Sequence, residues 1–72
     1  MRYRTDAQFE EIINSCINGN WTYAIKECVE YGFFAQDLIN KQEAFQSEGL
    51  HTIEDLDLCI LVEGAERLRN KA

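Results

Sequence analysis

Apolar residues recur along most of this chain at intervals of three and four, the spacing of one face of an α-helix. Phe9, Ile12, Ile13, Cys16 and Ile17 form the first stripe. Thr5 precedes it with Gln8 three residues on, the T-x-x-Q pattern of a capping box, and Gly19 is placed to end it. Trp21, Ala24, Ile25, Cys28 and Val29 repeat the stripe, with Asn20 or Thr22 as cap and Gly32 as stop. A hairpin turning at Asn18, Gly19 and Asn20 is the alternative, but strand alternation fails beyond two residues on either side.

A third, looser stripe sets Phe34, Leu38 and Phe45 near one edge and Ala35 and Ile39 on the other, up to Gly49. Thr52 with Asp55 resembles a second capping box. Acids follow it (Glu54, Asp55, Asp57) and cations close the segment (Arg67, Arg69, Lys71), the polarity that the helix dipole favours. The chain has no proline, so nothing breaks these segments. The pattern predicts an all-α, compact four-helix single domain over 1–72, with helices at 6–18, 21–31, 34–46 and 53–69. Its expected core holds Ile13, Cys16, Ile25, Cys28, Leu38, Leu61 and Val62.

The apolar run 58–62 could also be a buried strand, but its leucines and capped start favour helix. The pattern [IL]-x-x-C-[IV] occurs three times, which any amphipathic helix produces, so it is not read as a repeat. The fourth segment carries two apolar faces at about 100° per residue: Leu58, Leu61, Val62, Ala65 and Leu68 on one, Ile53, Leu56, Cys59 and Ile60 on the other. Either this helix is central, with the other three packed around it, or Ile53, Leu56 and Ile60 form a dimer interface or a partner contact. At 72 residues the chain buries only about 60% of its unfolded surface, and that shortage favours a homodimer or partner complex. The same length excludes a multidomain enzyme.

Composition is that of a folding chain, 46% hydrophobic and 28% charged. The longest apolar run, 58–62, falls far short of the roughly 20 residues that span a membrane. Arg2, Tyr3 and Arg4 follow Met1 in place of an apolar leader, so a cytoplasmic location is expected. Cys16, Cys28 and Cys59 read as reduced, buried small hydrophobes. Neither they nor His51, expected in an exposed loop, have the short spacing of a zinc site, and no acid-rich calcium loop occurs. Nucleophile elbows, phosphate-binding glycine loops and metalloprotease motifs are missing too. The expectation is a protein without catalytic residues, metal or cofactor.

Charge changes the picture most. All thirteen acids lie between residues 5 and 66, opposed there only by Lys26 and Lys41, and the other cations sit at the two ends of a chain of net charge −6. Such a body repels phosphate backbones, so direct nucleic-acid binding is disfavoured, and it attracts basic surfaces. Carboxylates three or four residues apart on a helix stand roughly 5–6 Å apart, close enough to imitate phosphates before a row of Lys and Arg. Glu27 and Glu30 are the best-placed pair, with Tyr23 beside them as an aromatic contact. Glu54, Asp55 and Asp57 extend the partner-binding set. The expected function is inhibition or regulation of a larger, nucleic-acid-binding protein by occupying its basic surface. The alternative is an adaptor that works through its apolar helix face, with charge serving solubility. In size, acidity and lack of catalytic groups the chain resembles small phage-encoded inhibitors of host defence or host nucleic-acid machinery, a likeness that attaches to no particular residue.

Overall fold

The structure, a computed structural model, describes residues 4–71. Four helices follow one another: α1 (Asp6–Ile17), α2 (Trp21–Glu30), α3 (Ala35–Ser47) and α4 (Asp55–Asn70). No strand forms among the described residues, and 58–62 lie inside α4. The four-helix expectation therefore holds.

Local chemistry sets the helix ends. Thr5 Oγ1 accepts from the Gln8 N–H at 3.1 Å while Gln8 Oε1 accepts from the Thr5 N–H at 3.0 Å, so the capping box at α1 is complete. Asp37 does half of the same work for α3, accepting from the Phe34 N–H at 3.0 Å. The Asn20 side chain makes no cap bond at α2. The first three helices end alike, on a glycine of positive φ: Gly19, Gly32 and Gly49. After each, the next N–H returns to a carbonyl five residues back, as from Asn20 to Ser15 at 2.8 Å and from Phe33 to Cys28 at 2.8 Å.

The predicted start of α4 is corrected. Thr52 is not its cap and Ile53 is not in the helix; Glu54, in extended conformation, is the N-cap, without a side-chain cap bond. Gln42 accounts for the difference. Buried on α3, it donates from Nε2 to the Ile53 carbonyl, which holds the chain extended there and drops the Ile53 side chain into the core at 7% exposure. Ile53 thus leaves the expected dimer interface.

The helices form a ring. α1 packs on α2 and α3, α4 packs on the same two, and α1 and α4 do not approach closely. The expected arrangement with α4 at the centre is therefore overturned, since every helix has two neighbours and an outer side. The core they share includes Phe9, Ile12, Ile13, Cys16, Cys28, Leu38, Phe45 and Leu61. Phe9 meets the Phe45 ring edge-on at 4.9 Å between centroids and Phe33 at 6.2 Å. Phe33, in the α2–α3 connection, is fully buried although no helical stripe pointed to it. Ile25 and Val62, expected in the core, lie half-buried at its margin. Cys59, expected to be buried, is exposed.

Candidate functional site

α4 has one face in the core and one on the surface. Leu58, Leu61 and Ala65 point into the core. Arg69 fastens the far end: its guanidinium donates to the Cys28 carbonyl at 3.3 Å and the Phe33 carbonyl at 2.6 Å and lies 4.0 Å above the Phe34 ring. The α2 C-terminus, the α2–α3 connection and α4 are thus tied together by one side chain.

The outer side of α4 is uncovered. Leu56 is 71% exposed and Ile60 47%, with Cys59 exposed between them. Ile39 of α3, also exposed, continues the apolar surface, sharing a shallow cleft with Leu58, Cys59 and Val62. Glu54 and Asp55 stand exposed beside this face and Asp57 is half-buried. Of the expected interface residues, Leu56 and Ile60 therefore lie together on the surface, and Ile53 does not join them.

On the far half of α4 a groove of about 260 Å³ opens toward α2, with Ile25, Gly64 and Leu68 on its walls and Lys26, Arg67 and Lys71 around it. Gly64 allows the close approach: a Cβ there would stand 2.4 Å from Ile25 Cδ1. The sequence signals were a lone glycine in a helical pattern and cations gathered at one end of it, but Lys26 joins them only through the folding of α2 against α4.

The second expected surface is taken apart by the fold. Tyr23 is 52% exposed and Glu30 is exposed, but Glu27 is buried at 3%. α2 is wedged between α1 and α4, so its covered arc is wider than the stripe Ala24, Cys28 and takes in Glu27, which lies only about 60° round from Ala24. Glu27 Oε1 accepts from Ser15 Oγ at 3.0 Å, and Oε2 has no partner. Burial, reinforced by the neighbouring Glu11 carboxylate, lifts Glu27 to a pKa of about 7. Glu11 moves the other way, its pKa lowered by the neighbouring Glu27 carboxyl and by the Tyr31 hydroxyl, which donates to Glu11 Oε2 at 2.6 Å. That bond, made to a carboxylate, raises Tyr31 to about 12. Glu27 is therefore a buried α1–α2 contact and cannot meet a partner's cations.

No protein-family model matches this chain, and neither a curated protein nor a solved structure is significantly similar to it. Function must be read from the surface itself. Cys16 and Cys28 are buried, and desolvation raises their thiols to about 11 and about 12, which keeps them protonated near neutrality. Among the described residues no three His, Cys, Asp or Glu are grouped to hold a metal ion, and no helix is long and apolar enough to cross a membrane.

Proposed function

We propose that this is a non-catalytic interaction protein whose working surface is the uncovered side of α4. The supporting observation is the exposure of Leu56 and Ile60, two large apolar side chains on one face of a helix whose opposite face is fully committed to the core. Burying a leucine side chain stabilises by roughly 1.5–3 kcal/mol, so a partner that covers both has a substantial driving force. Glu54 and Asp55 beside them select a partner whose apolar patch is bordered by Lys or Arg, and charge of that kind governs encounter rate and specificity more than affinity. Regulation follows by occupancy, the partner's surface being closed to its other ligands.

A second reading gives the whole acidic body the leading role, as a phosphate mimic on a nucleic-acid-binding protein. What favours it is that Glu27 alone of the acids is buried, with Asp37 and Asp57 half-buried and the others exposed. One experiment separates the two. Partners captured from a native lysate are re-bound to wild type and to the Leu56→Glu and Ile60→Glu variants at low and moderate salt. The α4 reading expects at least a tenfold loss with either substitution and only modest weakening by salt, and intact binding by both variants would remove it. A steep fall with salt alone, with competition by nucleic acid, would put the mimic in its place.

A further inference from the structure

Leu56, Ile60, Gly64 and Leu68 stand four residues apart along α4 and so form one ridge of the helix. The ridge begins beside exposed Glu54 and Asp55 and ends as a wall of the groove shared with α2. Acids thus flank its start and the cations of the groove flank its end, although exposed Glu63 and Glu66 also lie on that second half of α4.

The basic end has no ion-pair partner among the described residues. Arg4 pairs with Asp37 at 3.9 Å, Lys41 pairs with Asp6, and Arg69 is spent on the carbonyls of Cys28 and Phe33. Among the described residues the other cations are Lys26, Arg67 and Lys71, which make no ion pair there, and all three line this groove. No acid lines it, in a chain with thirteen. Three uncompensated cations around apolar walls call for an acidic segment that projects one apolar side chain. A nucleic-acid strand or an anionic bilayer would have to lie against a body of net charge −6, which repels it. The groove is also smaller than the roughly 300–1,000 Å³ of pockets that enclose small molecules.

This chain carries such a segment: Glu54, Asp55 and Leu56, the last being the most exposed large apolar residue among the described residues. It cannot reach its own groove, since Leu56 and Gly64 are eight residues apart on one helix, about 12 Å along the axis. A second copy can. We propose that the protein forms a homodimer in which α4 pairs antiparallel with α4 of a second copy about a two-fold axis near Ile60. Leu56 and Gly64 lie equally far from that axis on either side, so Leu56 of each copy comes level with the groove of the other and enters it against Ile25, which covers Gly64, and Leu68. Glu54 and Asp55 then face Lys26 and Arg67, and two-fold symmetry satisfies both ends of both ridges at once. The inference rests on the uncovered side of α4 being the working surface, and it names the occupant.

Sedimentation of the full chain tests it with two charge-reversed forms, E54K/D55K and K26E/R67E. Wild type is expected to be a dimer and each reversed form a monomer of unchanged helical circular dichroism. Mixing the two reversed forms in equal amounts is expected to restore a one-to-one dimer, because each reversed segment then meets its complement. Independently of whether the reversed forms fold, a short bis-maleimide should join two wild-type chains through exposed Cys59, next to the axis, and should fail on Cys59→Ser. A wild-type monomer at the highest attainable concentration overturns the dimer, as do reversed forms that remain dimeric or a mixture that stays monomeric. If wild type is monomeric yet Leu56→Glu still abolishes binding of a captured protein, the second copy is discarded and the α4 surface stands.

Discussion

Glu27 shows how one side chain can make stability depend on pH. Its carboxyl has an ordinary pKa of 4.5 when the chain is unfolded and about 7 when folded, so the folded state holds the proton more tightly. Its stabilising effect is fully present below about pH 4.5 and is lost as pH rises through about 7. Glu11 works in the opposite sense, because a depressed carboxyl loses its contribution as pH falls. Chemical denaturation across this range should show stability declining from mildly acid to neutral pH. Glu27→Gln, which keeps the shape and the bond to Ser15 without the charge, should abolish that decline and be the more stable protein at about pH 8. A variant that keeps the wild-type slope would place the titrating group elsewhere.

Among the helices, α2 and α4 share the broadest interface, and they approach most closely at Gly64. Glycine inside a helix costs roughly 0.5–1 kcal/mol relative to alanine, so its presence in α4 needs a reason, and the Ile25 side chain seated against it is that reason. Gly64→Leu should separate the two helices and destabilise by about 1–3 kcal/mol, measured by urea denaturation. Gly64→Ala should come close to neutral: the helix gains what the clash takes away, since half-buried Ile25 can turn toward the open groove. The helices themselves were legible in the sequence because their signals are local: the Thr5 and Gln8 box, the apolar stripes and the three glycine stops need no knowledge of neighbours. Which face of each helix is covered is not local information. Glu27 is buried and Cys59 exposed because of where α1 and α3 pass, and Ile53 is drawn inward by Gln42, eleven residues earlier. Leu56 and Ile60 were readable as an outer face, whereas the cations of the groove come from two helices and were not.

For the whole molecule, a net charge of −6 on a chain this short means self-repulsion in the folded state, where the acids are held closer together than in the unfolded chain. Adding salt from low to physiological ionic strength should raise the melting temperature by several degrees, since the screening length contracts to about 8 Å. A melting temperature indifferent to salt would mean that the exposed acids are too well spaced to interact. The Arg69 clasp has a consequence in time rather than in strength. It joins residues 36 and 41 positions apart, so it can form only after the intervening chain has closed. If the helices and their turns make up the folding nucleus, this clasp forms on the native side of the barrier. Arg69→Met should therefore leave the refolding rate nearly unchanged while speeding unfolding by about ten- to a hundredfold, the loss of a charged donor's bonds appearing almost wholly in the escape rate. Stopped-flow traces in both directions would show it, and a slowed folding limb would mean that the clasp belongs to the nucleus. The residue thus acts as a latch, governing how long the folded molecule persists and leaving the speed at which it assembles to the helices and their turns.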